Sequence, residues 1–294
     1  MKNTIAIVGA GSLGSALVKR LLDCGYPVSV FNRTRDKADR LIDYGATPVY
    51  KIQDIFNDRC LIAIACLKDA DSIIATFKPL LNSHGNPVQK KLLINTSTLG
   101  PEESRRVEAF MRKIPLEYAE LPVSGGPEGA LQGKLVAYMG PVADIFRPII
   151  LEIVAALCNR YSLMSSNHHA QAMKVVNNYC EAMNMAVAAE AISLAEEIGL
   201  SKEEICETLP LGRGRSVYMD VLLDKYQRAD RSISFPLDLR VKDLLLAAPI
   251  FEQSGIQSFF YPQLSEAYKK ALADNPSRVD QSAYFEFFKA YNHK

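Results

Sequence analysis

Val8-Gly9-Ala10-Gly11-Ser12-Leu13-Gly14 is the stretch that decides how the first half of this 294-residue chain is read. It lies between a short apolar run, Thr4 to Val8, and a segment from Ser12 to Cys24. In that segment Leu13, Leu17 and Leu21 share one helical face, and Gly25 ends it. A G-x-G-x-x-G pattern means little by itself, but between a strand and an amphipathic helix it has the context its mechanism requires. Gly9 permits a tight turn, Gly11 lets a pyrophosphate approach the backbone, and Gly14 lets helix and strand pack closely. The helix N-terminus then favours the ligand's negative charge. Gly9, Ala10, Gly11, Ser12, Leu13 and Gly14 are therefore expected to cradle a dinucleotide.

The next strand, Val28 to Phe31, runs into Asn32-Arg33-Thr34-Arg35. An NAD site usually carries a carboxylate here for the ribose 2′-hydroxyl, and that carboxylate would repel a 2′-phosphate. Arg33 can pair with such a phosphate, while Asn32 and Thr34 can donate hydrogen bonds. The expected cofactor is NADP rather than NAD. The competing reading makes Arg33 and Arg35 solvated charges leading into a helix.

Further strands are expected at Leu61 to Cys66, Leu92 to Ile94, Glu117 to Ala119 and Leu135 to Met139. Their alternation with helical stretches implies an α/β domain of the Rossmann type, with a mostly parallel sheet covered by helices. Past about Ser165 strand signals stop. His169 to Ile198 holds no Pro or Gly, ends at Gly199, and reads as one long interdomain helix. Helical segments punctuated by Pro210, Gly212, Gly214, Pro236, Pro249, Gly255 and Pro262 fill the remainder. The expected domains are residues 1–165, binding the dinucleotide, and 166–294, all α.

With 34 basic against 33 acidic residues, the chain has no electrostatic footprint for nucleic acid or an anionic membrane surface. It has no apolar run long enough to span a bilayer. The opening Met1-Lys2-Asn3-Thr4 lacks a signal peptide's basic lead and apolar centre, so a cytoplasmic protein is expected. The six cysteines form no C-x-x-C pair. They are expected to be reduced and mostly buried, without a metal.

Leu121-Pro122-Val123-Ser124-Gly125-Gly126-Pro127 follows the strand ending near Ala119 and is expected to be a loop whose N–H groups a carboxylate can approach. Alone it would be a plain Gly-Pro turn. However, Pro122-Val123-Ser124-Gly125-Gly126 resembles the substrate-binding signature of the β-hydroxyacid dehydrogenases, and four more segments match that family in order. Asn95-Thr96-Ser97-Thr98 resembles the loop near the nicotinamide. Lys174-Val175-Val176-Asn177-Asn178 resembles the catalytic Lys motif. Lys242-Asp243-Leu244 and Asp280-Gln281-Ser282-Ala283 resemble the two downstream signatures.

The resemblance implies a hydride-transfer enzyme that interconverts a small hydroxyacid with its semialdehyde or keto form. Lys174 would be the general acid or base, its pKa lowered by burial beside the oxidised nicotinamide. Ser124, Gly125 and Gly126 would hold a substrate carboxylate. Asn178, one helical turn from Lys174, would bind substrate or orient the amine. Leu67, Thr98 and Lys242 would line the cofactor, and the helical domain would build a homodimer or homotetramer. The apolar neighbours Ala172, Met173, Val175 and Val176 argue that Lys174 is buried rather than a surface lysine.

Two departures bear on the substrate. His168-His169-Ala170 stands where the family often has G-x-G, and reads either as a narrowed pocket or as loop histidines near a hinge. Leu121 replaces a small residue. Arg213 and Arg215 are open to meeting an acidic substrate or to being solvated. The competing functions are an imine reductase, which usually carries Asp or Tyr in place of Lys174, and an NADP-binding module without catalysis.

Overall fold

A computed structural model of the chain describes residues 2–57, 59–82 and 91–292. The chain forms two compact units, residues 1–174 and 175–294. The first unit opens with β1 (Thr4–Val8), α1 (Ser12–Asp23), β2 (Val28–Phe31), α2 (Arg35–Asp39), β3 (Thr47–Val49) and β4 (Cys60–Ala65). It continues with α3 (Ala70–Phe77), β5 (Leu92–Asn95), α4 (Pro101–Met111), β6 (Glu117–Glu120), β7 (Val123–Ser124) and α5 (Gly126–Gln132). Last come β8 (Leu135–Met139), α6 (Arg147–Leu157), β9 (Cys158–Leu163) and the start of α7 (Asn167–Glu197), which runs on into the second unit.

Six strands pair in parallel in the order β3-β2-β1-β4-β5-β6, confirming the Rossmann expectation. The central strands are nearly unbroken apolar runs because both of their faces are covered. Alternation along each strand separates two cores. Ile5, Ile7, Ile62 and Ile64 face Leu17 and Leu21 of α1 and Ile150 and Ile153 of α6. Ala6, Val8, Ala63 and Ala65 face Ile73 and Phe77 of α3 and Val107 and Met111 of α4. Strand order reverses between β1 and β4, which creates the crevice at their carboxyl ends where such sheets bind ligands.

Two expectations change. Leu135–Met139 does not join the parallel sheet. It is the middle strand of a separate three-stranded sheet, antiparallel to β7 and parallel to β9. Strands β3, β7 and β9 carried no readable signal: β3 is a short edge strand containing Pro48, β7 has two residues, and β9 is polar and exposed beyond Cys158.

The second unit adds α8 (Lys202–Thr208), α9 (Val217–Arg228), α10 (Leu237–Leu245), α11 (Ala248–Ser254), α12 (Tyr261–Ala273) and α13 (Ala283–Asn292). Its core packs Met185, Ala189 and Ile192 of α7 against Leu222, Val241, Leu244, Tyr268 and Phe285. Arg240 is fully buried within this unit. Its Nη2 donates to Glu181 Oε2 at 2.8 Å and to the Tyr218 hydroxyl at 2.6 Å, its Nε donates to Gln281 Oε1 at 2.8 Å, and its Nη1 donates to the Asn178 carbonyl at 3.3 Å. Among the described residues no helix is long and apolar enough to cross a membrane. All six cysteines are free, but only Cys60 and Cys158 are buried and Cys180 is exposed, so the expectation of mostly buried thiols is corrected.

Candidate active site

The glycine loop fits a dinucleotide. Gly9 has φ +109°, and a Cβ there would lie 2.2 Å from the Cys66 carbonyl oxygen; at Gly14 it would lie 1.9 Å from the Gly9 carbonyl oxygen. Both positions are closed to any side chain by packing alone. Gly11 differs, because a Cβ there would meet nothing within 4 Å. It borders open space at the N-cap of α1, where no side chain caps the helix. The first N–H groups of α1, at Ser12, Leu13 and Gly14, therefore lack a side-chain acceptor and suit an anionic ligand.

At the end of β2, Asn32 braces two loops: its Oδ1 accepts from Ala10 N at 2.9 Å and its Nδ2 donates to the Thr34 carbonyl at 2.8 Å. Its amide is thus committed to the scaffold, in addition to any ligand contact expected from sequence. Thr34 is the N-cap of α2. Arg35 lies 5.3 Å over the Tyr50 ring. Arg33 is exposed and makes no ion pair or ring contact among the described residues, leaving its guanidinium available.

The loops after β4 and β5 are joined at the same end of the sheet. Ser97 Oγ accepts from Leu67 N at 2.9 Å, and Thr96 Oγ1 donates to the Ala65 carbonyl at 2.8 Å. A Cβ on Gly9 would also come within 3.0 Å of Leu67 Cδ2. The fold therefore brings the glycine loop, Leu67 and the Thr96–Thr98 segment together.

Ser124 is half-buried on β7, opposite Val136. Gly125 (φ +125°) and Gly126 (φ +64°) turn the chain directly into α5, so the expected loop is in fact a strand end and a helix start. A Cβ on Gly125 would press to 3.1 Å from Leu135 Cδ2.

Lys174 is 6% exposed, on one buried face of α7 with Gln171, Val175 and Asn178. The burial was expected, but part of the reason was wrong: Met173 and Val176 lie on the exposed side. Asn178 Nδ2 donates to Asp243 Oδ2 at 2.8 Å, and the Lys242 ammonium lies 3.0 Å from Asp243 Oδ1. Asn178 Oδ1 is buried with no hydrogen-bond partner among the described residues. An orphaned buried amide oxygen is costly, and a ligand hydroxyl would satisfy it.

Sequence reasoning missed Glu120, which closes β6 and is fully buried. Its Oε2 accepts from Asn95 Nδ2 at 2.8 Å and Gln171 Nε2 at 2.7 Å, and its Oε1 from the Tyr118 hydroxyl at 2.6 Å and Ser104 Oγ at 3.3 Å. Burial pushes this carboxyl up to about 7, against the lowering effect of those four donors. The available signal was a lone charge in the apolar run Ala119 to Val123.

Comparison with known proteins places the chain. Residues 4–164 match the family model for the NAD binding domain of 6-phosphogluconate dehydrogenase, and residues 169–288 match that for the NAD-binding of NADP-dependent 3-hydroxyisobutyrate dehydrogenase. The chain belongs to the β-hydroxyacid dehydrogenase family. Among β-hydroxyacid dehydrogenases, mitochondrial 3-hydroxyisobutyrate dehydrogenase of Bos taurus is 25% identical over 305 residues, spanning 98% of this chain and 87% of its own. Glyoxylate/succinic semialdehyde reductase 1 of Arabidopsis thaliana is 25% identical over 285 residues, spanning 97% and 98% respectively. The solved structure of Psf3 in complex with NADP+ and 2-OPP superposes with a TM-score of 0.86 at 29% identity, over 97% of this chain and 99% of that one. The chain is thus a nicotinamide-dinucleotide oxidoreductase of this family.

Its departures from the β-hydroxyacid dehydrogenase pattern now have places. His168 and His169 are not loop residues but sit in the first turn of α7. His168 Nε2 lies 3.3 Å from Arg105 Nη2, and His169 Nδ1 lies 2.6 Å from Ser165 Oγ. Burial, followed by the Arg105 and His169 charges, holds the His168 imidazole below its ordinary pKa. Leu121 is 2% exposed and packs in the α1-side core, so its bulk serves packing. Arg215 is held by Asp220 through three hydrogen bonds of 2.8 to 3.0 Å, and Arg213 is exposed.

Proposed function

We propose that the chain reduces a small aldehyde acid to its hydroxyacid with NADPH and runs the reverse oxidation with NADP. The observation that carries this reading is Lys174, an amine buried on one helix face a single turn from Asn178. Lys174 Nζ gives its proton to the carbonyl oxygen as the carbon is reduced, and recovers one from solvent afterwards. Bound NADPH supplies the hydride. Asn178 Oδ1 accepts from a substrate hydroxyl, and Asp243 fixes the amide's orientation through Nδ2. Ser124, Gly125 and Gly126 hold the carboxylate, where the two positive-φ glycines keep side chains clear. Gly9, Ala10, Gly11, Ser12, Leu13 and Gly14 receive the pyrophosphate, while Leu67, Thr98 and Lys242 line the cofactor.

The choice of NADP rests on exposed Arg33, on a strand end without a carboxylate, and on the NADP+ held by the Psf3 structure. Assembly as a homodimer or homotetramer belongs to the same reading, and size-exclusion chromatography with light scattering tests it. A cytoplasmic location belongs to the same reading, and the free cysteines are compatible with any reducing compartment.

The test follows NADPH consumption with succinic semialdehyde, tartronate semialdehyde, methylmalonate semialdehyde, glyoxylate and a cyclic imine, with NADH in parallel. Turnover of an aldehyde acid that drops by at least about 100-fold in folded Lys174→Ala supports the reading. Turnover of the imine alone, or of nothing while NADPH still binds, overturns it. Arg33→Ser raises KM for NADPH about tenfold or more and leaves NADH unchanged. Equal effects on both cofactors would refute the role given to Arg33.

A further inference from the structure

We propose that Glu120 is a positioning residue for Lys174, its buried carboxyl locking the first turns of α7 to the ends of β5 and β6. The proposal rests on the reading of Lys174 as the general acid.

Two successive turns of α7 are bonded to this one residue. Asn167 Oδ1 accepts from Glu120 N at 3.0 Å, and one turn later Gln171 Nε2 donates to Glu120 Oε2 at 2.7 Å. Main-chain and side-chain attachments spaced by a turn fix both the rotation and the axial position of a helix. Lys174 follows Gln171 by three residues on the same buried face, so its position is set with them.

Gln171 extends the lock to the loop after β5. Its Oε1 accepts from Leu99 N at 3.0 Å, and its Nε2 also donates to the Ser97 carbonyl at 2.8 Å. Asn95 Nδ2 shares Glu120 Oε2 with Gln171, while Asn95 Oδ1 accepts from Ser97 N at 3.1 Å. Glu120 thus stands between the helix that carries Lys174 and the loop that carries Thr98. A shift of about 1 Å between such groups costs on the order of 100-fold in rate.

The choice of residue fits the donors. Oε2 faces two amide N–H groups, which can only donate, whereas Oε1 faces two hydroxyls, which can also accept. Glutamine can therefore replace Glu120 with its carbonyl toward Asn95 and Gln171 and its NH2 toward Tyr118 and Ser104. Leucine cannot, because it takes the shared acceptor from both amides, leaving Gln171 Nε2 only its bond to the Ser97 carbonyl.

The experiment compares Glu120→Gln, Glu120→Leu, Gln171→Leu and Lys174→Ala. It measures amide hydrogen exchange at Leu99 and through residues 168–174, NADPH affinity by fluorescence, and kcat and KM on the fastest aldehyde acid of the panel above. In Glu120→Leu and Gln171→Leu, exchange at these amides is expected to rise about tenfold or more. In the same two variants kcat falls about 30- to 100-fold, while KM for NADPH stays within about threefold. Glu120→Gln stays within about threefold of wild type throughout. Should Glu120→Leu fail to fold, Gln171→Leu carries the test, since it leaves the carboxyl and its three other donors in place. Wild-type exchange in Gln171→Leu overturns the lock, as does a lowered thermal midpoint with unchanged kcat. Full turnover in Lys174→Ala overturns the general-acid reading instead, while the exchange data judge the lock separately.

Discussion

Glu120 in the first unit and Arg240 in the second are both fully buried, and both grip α7, but they differ in how their charge is met. Arg240 faces a carboxylate, with Glu181 Oε2 at 2.8 Å, and packs against the Tyr218 and Phe235 rings. The four donors around the Glu120 carboxyl are all neutral. The guanidinium stays ionised at any physiological pH, whereas burial outweighs the four neutral donors around Glu120 and brings its carboxyl into the neutral range. One helix is therefore held by a fixed clasp in one unit and by a titratable clasp in the other.

The sharpest way to break this contrast is Arg240→Met, which takes the guanidinium from Glu181, leaves that carboxylate its neutral donors Asn177 Nδ2 and the Tyr218 hydroxyl, and removes the donor to Gln281 Oε1. A loss of about 3 to 5 kcal/mol is expected in urea unfolding, nearly independent of pH from 6 to 8. A cost below about 1 kcal/mol would show that the ion pair contributes little over apolar packing.

Next in size is the pH dependence carried by Glu120. Its folded pKa is raised, so the folded chain holds this proton more tightly than the unfolded chain does. The associated stability is present below pH about 4.5 and is lost as pH rises to about 7. The loss amounts to about 3 kcal/mol for a shift of this size. Tyr118, pushed well above its ordinary value by burial, does not titrate in this window, and Glu108 reaches the cluster through Asn167 Nδ2 at 3.5 Å and through its charge on Tyr118. The unfolding midpoint of wild type should therefore fall relative to Glu120→Gln between pH 4.5 and 7. Parallel curves would mean that Glu120 keeps an ordinary carboxylate pKa.

The smallest effect is Ser104→Ala, which removes the longest of the four bonds. It should cost about 0.5 to 1 kcal/mol and move the Glu120 transition to higher pH, since one lowering influence is lost. A transition moved to lower pH would reverse the sign assigned to the Ser104 hydroxyl.

Such contrasts were invisible in the sequence. The glycine loop, β1, β4 and β5 were legible because steric demands at Gly9 and Gly14 and two-sided burial leave local patterns. Lys174 and Asn178 were legible through their motif, although the apolar neighbours Met173 and Val176 point away from the buried face that justified them. Glu120 was not legible, because three of its four donors come from β5, α4 and α7, as far as 51 residues away. Strands β7 and β9 were hidden by shortness and exposure. The start of α7 at Asn167 did leave a local signal that sequence reasoning passed over: Ser166 caps the helix, its Oγ accepting from His169 N at 3.1 Å.

For the NADP preference proposed above, the Asn32 brace limits how the cofactor could be exchanged. Aspartate at position 32, the customary route toward NAD, could still accept from Ala10 N, but it would turn a carboxylate oxygen toward the Thr34 carbonyl where an amide now donates. The tie to the glycine loop would survive, but the turn after β2 would lose its own bond and set two oxygens against each other. Exchange of the 2′-phosphate for a hydroxyl is better sought at Arg33, which the scaffold does not use.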